Sequence, residues 1–597
     1  MCRLFRPDPI LERGFIMPFS RRDAFKLGGL GALGVAGLAI PLGNVVSAKD
    51  PSQLPKGRAP VPYGAAFGSN GNYFQRLKVL QKTGHADNPD GLGPVDYYDQ
   101  SEKVGTISVI PGGNPTMLTP VLGYDGQVPG YRIDVNQGTR IELLMRNKLP
   151  ATHPTFGTPM HTSTHLHGSA SLPQYDGYAS DITNPGHVKR YRYPNCQPAR
   201  TLWYHDHGVH YTAQNVYSGL ATQYHLHDDM ERALLPTHNQ SLPGGGPASE
   251  YDVGLIVSDM MFQANGAQQY DDRNHSGLWG DVILVNGQPW PVMKVKKRVY
   301  RFRVLDASIS RSYRFTLSPQ VPMCVVATDG GIVPKAQPIT QWRHGTAERY
   351  EILINFKDVP VGTRVELRNL SNPDNRDYTN TGKVMAFDVV GDAFDTSTPS
   401  STSFPDILNP GQETMLLKET DAKKVRNIRV QHNDTTNMWN LNDMTWEDIV
   451  ASGYKKVIAD PALGDTEIWE IENKSGGWFH PLHIHLIDFK VLSRNGKAPF
   501  AWELGAKDVI YVGESEKIRL LMKFGKVGDP HYGVQTGRYM IHCHNLVHED
   551  HDMMSQFSVG LKQSDMDSNV DTNTPPIATD CNHPVKADPP YVDTSAP

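Results

Sequence analysis

The sequence has few cysteines, no excess of positive charge and only one long apolar run. Five cysteines occur in 597 residues, which excludes a dense disulfide framework and leaves at least one thiol without a partner in the chain. The 58 Lys and Arg against 63 Asp and Glu give a formal charge of −5. This balance excludes a nucleic-acid binder that depends on bulk positive charge. A hydrophobic fraction of 39% is typical of a globular protein of several domains.

The one long apolar run lies in an N-terminal leader. Paired arginines within residues 20–26 precede a glycine-rich apolar segment at 27–42, and a small-residue cleavage pattern ends at Ala48. This run is short for a spanning helix of ~20 residues, so it favours a cleaved twin-arginine export signal over a membrane anchor. We therefore expect a secreted, periplasmic or cell-surface protein without stable membrane insertion, translated from Met1 or from Met17.

The chain after the leader has the pattern of a β-rich protein. Its 54 glycines and 45 prolines exceed what long helices tolerate. Polar and apolar residues alternate in short segments such as 140–144, 298–304 and 517–521, which indicates β-sandwich or β-barrel domains. Two linker-like stretches, 236–249 and 395–413, divide the chain into three such blocks.

Histidines are concentrated in two windows of the sequence. Eleven of the 24 lie between His153 and His238, and eight lie between His480 and His551. This distribution predicts one metal site assembled from both ends of the chain. Residues i and i+2 of a strand face the same side, so each His-x-His pair directs two imidazoles to one place. Four pairs stand out: His165/His167, His205/His207, His483/His485 and His542/His544.

A second metal-binding pattern surrounds Cys543. This cysteine lies inside the last His-x-His pair and is followed by His548 and Met553, while His480 lies just upstream of another pair. A thiolate with two imidazoles and a long thioether is the ligand set of a blue-copper site. A buried core thiol and a core methionine are the alternatives, but they do not explain the spacing. Alternation directs Cys543 away from its two histidine neighbours, so the tripeptide would join two metal sites.

These motifs resemble those of the multicopper oxidases, over nearly all of residues 123–559. The matching segments are 164–168, 203–207, 480–485 and 542–554. Within that family the sequence is most similar to bilirubin oxidases and spore-coat laccases, through segments 169–186, 279–291 and 548–554.

The resemblance implies an all-β protein of three cupredoxin-like domains and four copper ions. The three-copper cluster would lie between the first and third domains, with the middle domain as spacer and substrate wall. The implied type 1 ligands are His480, Cys543, His548 and Met553; the type 2 ligands are His165 and His483; the type 3 ligands are His167, His205, His207, His485, His542 and His544.

Together with the linkers, the resemblance implies five segments. They are a signal peptide at 1–48, cupredoxin domains at 49–235, 236–400 and 401–562, and a polar, disordered tail at 563–597.

Reduction of O₂ to water consumes protons, which copper-bound imidazoles cannot supply, so a carboxylic acid is needed nearby. Asp176 matches the proton-donating aspartate of bilirubin oxidase, and Glu549 matches a carboxylate near the oxygen side in spore-coat enzymes. A solvated surface acid is an alternative of equal weight for Glu549. Asp206 is expected to orient a neighbouring imidazole or cap a turn.

The expected activity is oxidation of small phenolic, aminophenolic or tetrapyrrole donors, coupled to four-electron reduction of O₂. The donor would give up electrons near His480 and His548, which we expect close to the surface. Trp478 matches a tryptophan beside the type 1 site of bilirubin oxidase and could stack on a flat donor; a packing role is the alternative.

Three other functions compete with this expectation. A Cu(I) or Mn(II) oxidase is disfavoured because the 19 methionines form no Met-rich segment. A non-catalytic copper-binding coat protein would keep the ligands without the activity. A zinc hydrolase is disfavoured because a Cys-His-Met set is softer than hydrolysis needs.

The remaining histidines and cysteines receive simpler interpretations. Cys196 and Cys324, or Cys581 with either of them, could form a disulfide after export. The histidines expected at the surface or behind the ligands are His153, His161, His187, His210, His225, His227, His531 and His551.

Overall fold

The computed structural model describes residues 50–64, 74–89, 91, 93–109, 118–234, 242–243, 250–391, 404–525, 536–561, 563, 578–580 and 583–585. The predicted leader, parts of both predicted linkers and most of the tail lie outside these residues. Strands dominate the described chain, and its helices are short, so the all-β prediction is confirmed. No helix in the described ranges has both the length and the apolar character needed to cross a membrane.

The first block of strands forms two sheets and contributes two short helices. One sheet has the order β1-β2-β5-β7 with β3 on β2, and the other has the order β4-β9-β8-β6. The strands are β1 (Gly84–Ala86), β2 (Val95–Ile107), β3 (Thr119–Tyr124), β4 (Ile133–Asn136), β5 (Arg140–Asn147), β6 (Thr164–His167), β7 (Val188–Tyr193), β8 (Arg200–Asp206) and β9 (Ala221–His227). The helices are α1 (Thr212–Ser218) and α2 (Asp229–Ala233), with a 3₁₀ turn at Pro173–Tyr175.

The second block also forms two sheets. Their orders are β12-β11-β10-β14-β19-β16-β17 and β13-β21-β20-β15-β18. The strands are β10 (Asp252–Met260), β11 (Val282–Val285), β12 (Gln288–Pro289), β13 (Val292–Val295), β14 (Val299–Asp306), β15 (Tyr313–Ser318), β16 (Met323–Thr328), β17 (Gly331–Ile339), β18 (Gln341–His344), β19 (Arg349–Asn355), β20 (Arg364–Asn369) and β21 (Lys383–Val389).

The third block repeats the arrangement of two sheets, with orders β23-β22-β24-β28-β26 and β27-β25-β29-β30. The strands are β22 (Lys424–Asn433), β23 (Met438–Leu441), β24 (Thr466–Asn473), β25 (His480–Ile484), β26 (Phe489–Arg494), β27 (Val509–Val512), β28 (Lys517–Lys523), β29 (Gly537–Cys543) and β30 (Met554–Val559). The helices are α3 (Glu413–Leu416), α4 (Trp446–Ala451) and α5 (Leu546–Asp550), with 3₁₀ turns at Glu419–Asp421 and Ala501–Glu503.

The tail contains one strand pair where the sequence predicts no secondary structure. Strand β31 (Ala578–Asp580) pairs antiparallel with β32 (His583–Val585). The sequence did not predict this pair, and the expectation of a disordered tail at 563–597 otherwise stays a prediction.

Alternating burial explains why the sequence forms these strands. In β5, Ile141, Leu143 and Met145 are buried, whereas the intervening residues are only partly buried. Each fully buried side chain of this kind contributes about 1.5–3 kcal/mol of transfer free energy. A shift of one residue in register would turn this apolar set to the other face of the sheet. Pairing is therefore strongly specified wherever one face is buried.

A buried ionic network joins the second block to the third. Arg349 at the start of β19 makes a bidentate contact with Asp508, at 2.6 and 2.5 Å. The neighbouring Lys507 lies 2.8 Å from Asp329 and 3.0 Å from Glu348. Breaking one partner of such a buried pair costs about 3–5 kcal/mol, because the other charge is left uncompensated. The network fixes the segment before β27, which borders the histidine cluster described next.

Candidate metal centres

Strand pairing places the four His-x-His pairs side by side, two in each of two sheets. In the first block, β6 pairs antiparallel with β8, so that His165 lies opposite His205. In the third block, β25 pairs antiparallel with β29, so that His483 lies opposite His542. The second histidine of three pairs lies just beyond the end of its strand. All eight side chains are buried.

The two sheets bring their histidines into direct contact. The rings of His167 and His483 stack with centroids 3.6 Å apart, and those of His165 and His485 stack at 4.0 Å. The Nε2 atom of His542 lies 3.2 Å from Nε2 of His207 and 3.1 Å from Nε2 of His485. The prediction that both histidine windows build one cluster is therefore confirmed.

Hydrogen bonds to carbonyl oxygens fix which nitrogen of several rings faces the cluster. Nδ1 of His483 donates to the backbone oxygen of Asp508 at 2.9 Å, and Nδ1 of His205 donates to that of Asp206 at 2.7 Å. Nδ1 of His165 donates likewise to the backbone oxygen of Asp176. Because a carbonyl can only accept, these rings carry their proton on Nδ1 and turn the lone pair of Nε2 inward.

These inward atoms fit metal ions. Nε2 of His165, His205 and His483 is buried without a hydrogen-bond partner among the described residues, which would be costly unless a cation occupies the space. Burial lowers the pKa of His205 to about 3 and holds the pKa of His483 well below its usual value. The imidazoles are therefore neutral, as metal ligands must be. The groups able to hold an ion include His165/His167/His205, His165/His483/His485 and His207/His485/His542.

A second buried group surrounds Cys543. Its Sγ lies 3.4 Å from Nδ1 of His480 and 3.7 Å from Nδ1 of His548, and the two Nδ1 atoms are 3.2 Å apart. The outer nitrogen of His548 donates to the backbone oxygen of Ser276 at 3.0 Å, and that of His480 lies 2.7 Å from Oγ of Ser475. The lone pairs of both rings therefore face the sulfur.

This sulfur-containing group also fits a metal ion. Burial raises the pKa of the Cys543 thiol, so a thiolate there requires a positive partner. Met553 is fully buried beside it, and its backbone oxygen accepts a hydrogen bond from the Cys543 amide at 3.0 Å. The predicted set of two imidazoles, one sulfur and a methionine is thus gathered in one place, with ligand types that suit copper.

Asp176 lies between the first and third blocks. It directly follows the 3₁₀ turn Pro173–Tyr175. Its Oδ2 accepts from Nδ1 of His485 at 2.8 Å, and its Oδ1 lies 3.5 Å from Nδ1 of His165. Burial raises the pKa of Asp176 well above its usual value. The residue predicted as a proton donor therefore contacts two cluster histidines.

Glu549 is also buried against the cluster, so the alternative of a solvated surface acid is wrong. Its Oε2 lies 2.7 Å from Nδ1 of His542, and its Oε1 lies 3.5 Å from Nδ1 of His207. Burial opposes ionisation of this carboxyl, but the two imidazoles outweigh it and lower its pKa to about 2.

Asp206 has the supporting role that was expected from the sequence. Its carboxylate accepts from the backbone amides of Ser163 and Gly208 and from the side chain of Asn215. Its backbone oxygen orients His205. Burial raises the pKa of Asp206 to about 7.

The two histidines beside Cys543 are buried. His480 and His548 are both 0% exposed, and the expectation that they lie close to the surface stays a prediction. Trp439, itself buried, stacks on the His548 ring at 3.9 Å. Trp478 is partly buried and lies edge-on to His548 at 5.9 Å. Trp439 and the backbone of Ser276 thus cover the His548 ring.

The other histidines and cysteines follow the predictions only in part. Cys196 is disulfide-bonded, whereas Cys324 is free and buried, which excludes both predicted pairings that use Cys324. His531 and Cys581 lie outside the described residues. His225 and His227 are not isolated histidines, since they form a separate group with Asp134.

Sequence reasoning missed several residues that hold the ligands. Asp508 binds His483 through its backbone, and its Oδ1 lies 3.2 Å from Nε2 of His167. Asn545 donates its backbone amide to the Cys543 sulfur at 3.4 Å. Asp508 and Trp439 belong to no local motif, so no sequence signal was available for them.

Comparison with known proteins gives a consistent set of relatives. Models of the family described as Multicopper oxidase match residues 106–231 and 419–563. The bilirubin oxidase of Albifimbria verrucaria is 38% identical over 486 residues, covering 79% of this chain and 78% of that protein. The laccase of Bacillus subtilis (strain 168) is 30% identical over 541 residues, covering 79% and 97%.

Solved structures agree with these relatives. The McoA multicopper oxidase of the hyperthermophile Aquifex aeolicus has a TM-score of 0.67 and 27% identity, covering 82% of this chain and 100% of that one. The two matched family regions contain all four His-x-His pairs as well as Cys543 and Met553.

Proposed function

The chain belongs to the multicopper oxidase family, and from that premise we propose that it couples one-electron oxidation of small aromatic donors to four-electron reduction of O₂ to water. As a member of this family it is a copper-dependent oxidoreductase that uses oxygen. The single observation that carries the proposal is the pair of buried ligand groups joined by the tripeptide 542–544.

The proposal includes four copper ions, one type 1, one type 2 and two type 3. Bound copper would supply the one-electron redox chemistry that imidazole and thiol side chains lack. The separate His480/Cys543/His548 group and the larger histidine cluster support one type 1 ion and a site for several ions; the division within the cluster rests on the family resemblance. The type 1 ligands would be His480, Cys543, His548 and Met553; the type 2 ligands His165 and His483; the type 3 ligands His167, His205, His207, His485, His542 and His544.

The chain itself would connect the two centres. Cys543 turns its sulfur toward His480 and His548, while His542 turns Nε2 toward His207 and His485. Two adjacent residues therefore belong to different ligand groups, and only the covalent backbone separates them. This short connection suits transfer of single electrons from a donor site to an oxygen site.

Asp176 would supply protons. Its carboxyl contacts histidines of both blocks, and burial favours its protonated form. Oδ1 of Asp176 is buried and has no hydrogen-bond partner among the described residues. A proton on this oxygen would therefore be available for transfer. Glu549 is the second candidate, but its ionised form is stabilised by His542.

The donor class is proposed from the relatives and from one aromatic side chain. The 38% identity to a bilirubin oxidase favours tetrapyrrole and phenolic donors. Trp478 is the partly buried ring beside His548, and its face can stack on a flat donor. The backbone of Ser276 covers His548. This favours electron transfer from a donor bound at the protein surface over direct binding of the donor to the metal.

We also propose export and three cupredoxin domains. The twin-arginine pattern in residues 1–48 supports export of a folded, metal-loaded protein. The division into domains at 49–235, 236–400 and 401–562 is supported by the two sheets formed within each block. Replacement of both arginines of the leader by lysine is expected to retain the protein inside the cell, which fractionation would measure.

The central experiment is oxygen uptake by purified, copper-loaded protein with a phenol, bilirubin, Mn(II) and Cu(I) as donors. We expect aromatic donors to be oxidised faster than either metal ion, with four electrons taken from the donor per O₂ and no hydrogen peroxide released. A blue protein that takes up no oxygen with any donor would instead be a copper-binding protein without catalysis.

A further inference from the structure

A fifth His-x-His pair lies at the other end of the sheet that carries His205. His225 and His227 lie on β9, and His225 is directly opposite Asp134 of the parallel strand β4. The two imidazoles and the carboxylate offer ligand atoms that all lie within 4.8 Å of one another. The partner of His225 on the neighbouring strand β8 is Thr201, which lies four residues before His205. At about 3.3 Å per residue, this places the group about 13 Å along the strand from His205.

Gln223 determines the orientation of the His225 lone pair. Nε2 of Gln223 donates to the backbone oxygens of Leu255 and Arg303, at 3.1 and 2.9 Å. Its side-chain oxygen therefore lies 2.9 Å from Nε2 of His225 and accepts a hydrogen bond from the N–H of that ring. Nδ1 of the neutral ring consequently carries the lone pair, and it lies 3.6 Å from Oδ1 of Asp134.

Glu231 determines the orientation of the His227 lone pair in the same way. Its Oε2 lies 2.6 Å from Nδ1 of His227, and its Oε1 accepts from Arg301 and Arg303. Nε2 of His227 is buried and has no hydrogen-bond partner among the described residues. A carboxylate behind an imidazole, with the opposite nitrogen left free, is the usual arrangement behind a metal-binding histidine.

The charges around the group leave room for a cation. In the set of groups joined by these ion pairs, four carboxylates face three guanidinium groups, so the set carries one excess negative charge. The members are Asp134, Glu231, Asp252 and Glu351 with Arg132, Arg301 and Arg303. Protonation of His225 is opposed by burial and by Arg132 and Arg303, which hold its pKa well below the usual value.

We propose that Asp134, His225 and His227 bind a divalent transition-metal ion at a site separate from the four coppers. Two lone pairs converge there on a carboxylate whose one described ion-pair partner, Arg132, lies 2.8 Å from Oδ1, and no described donor satisfies Nε2 of His227. Donors at ~2.0–2.1 Å around a tetrahedral ion lie roughly 3.4 Å apart, close to the 3.6 Å between His225 and Asp134. Imidazole with carboxylate suits Zn²⁺, Cu²⁺ or Fe²⁺, and the ion would tie β4 to β9.

Zn²⁺ titration of the copper-loaded protein tests this site without relying on activity. We expect the wild type to bind one more Zn²⁺ than His227→Gln, by calorimetry and by elemental analysis, while both keep their copper and their blue colour. Loss of the His227 ligand should weaken Zn²⁺ binding at this site by at least ~10²-fold. Loss of a residue that only orients a ligand typically weakens metal binding by ~10–100-fold. His187→Gln, which removes an exposed histidine of the same block, should bind Zn²⁺ as the wild type does.

Zinc anomalous scattering from wild-type crystals provides a measurement that needs no variant. A peak between Asp134, His225 and His227 is expected at low Zn²⁺ concentration. Equal Zn²⁺ stoichiometry in the wild type and His227→Gln, or an empty position in the anomalous map, would mean that the three residues form only an ion pair.

Discussion

Cys543 is the one thiol in either ligand group, and its sulfur lies between two imidazole nitrogens. A hydroxyl at this position cannot give the thiolate-to-copper charge transfer that colours a type 1 site. Cys543→Ser should therefore abolish both the blue absorption and donor oxidation. Cys324→Ser, which changes the other free buried cysteine, should leave the visible spectrum unchanged. A blue and active Cys543→Ser protein would refute the type 1 assignment.

Asp176 contacts His165 and His485 through a buried carboxyl, whose pKa burial raises more than Lys189 lowers it. Asparagine preserves its size and part of its hydrogen bonding but removes the transferable proton. In Asp176→Asn we expect normal blue colour and normal reduction of the type 1 site by the donor, with turnover under O₂ lower by ~10²-fold or more. Stopped-flow reduction and steady-state oxygen uptake separate the two steps. Full oxygen uptake in this variant, with loss in Glu549→Gln, would transfer the role to Glu549.

Trp478 lies next to the type 1 ligands and remains partly exposed. If its ring stacks on the donor, Trp478→Ala should raise KM for bilirubin more than for a small phenol or an inorganic one-electron donor. Trp502→Ala, which removes another partly buried indole, serves as the matched control. An equal change for every donor, with blue colour retained, would make Trp478 a packing residue.

At the scale of elements, the ion pair between Asp508 and Arg349 of β19 is one part of the buried network that fixes the segment before β27. Asp508 binds Arg349 in a bidentate contact between side chains that are 0–2% exposed. Asp508→Asn leaves the buried guanidinium with only the more distant carboxylate of Asp329, at 3.6 Å, and we expect a loss of about 3 kcal/mol of stability. Asp388→Asn breaks an equally bidentate but exposed pair with Arg364, and should cost at most about 1 kcal/mol. Denaturant unfolding with similar midpoints for the two variants would contradict the buried network.

Contacts within one strand could be predicted from the sequence, whereas contacts between distant strands could not. The histidine pairs and the Cys543 group were predictable because period-two alternation and short spacings are local properties. His225 and His227 show the same local pattern, yet their partner Asp134 is contributed by a parallel strand far back in the chain. Asp508 contacts His167 across 341 residues. Contacts of this kind depend on sheet order, which no local motif encodes.

Burial was the least predictable property of individual residues. Glu549 follows a ligand histidine in a short helix, a position equally compatible with solvent. The structure buries it because α5 packs against α1, and Asp550 accepts the backbone amides of Thr212 and Ala213. His548, in the same helix, is buried as well.

At the scale of the whole molecule, the proposed copper ions hold the first and third blocks together. An ion that binds only the folded state stabilises that state by mass action. Removal of copper should therefore lower the Tm, and reconstitution should restore it. Calorimetry of metal-free, reconstituted and native protein measures this effect. Identical melting of the metal-free and native forms would show that protein contacts alone fix the two blocks.

The histidine cluster also sets the order of events during biosynthesis. Nε2 of His207 meets Nε2 of His542 although 335 residues separate them in the sequence. A ribosome-bound chain that has completed the first block holds only half of the cluster, and a truncated product never acquires the other half. The complete cluster can thus form only in a finished polypeptide. Contacts between residues so far apart in the sequence form slowly. They also ensure that only a full-length chain contains the complete cluster.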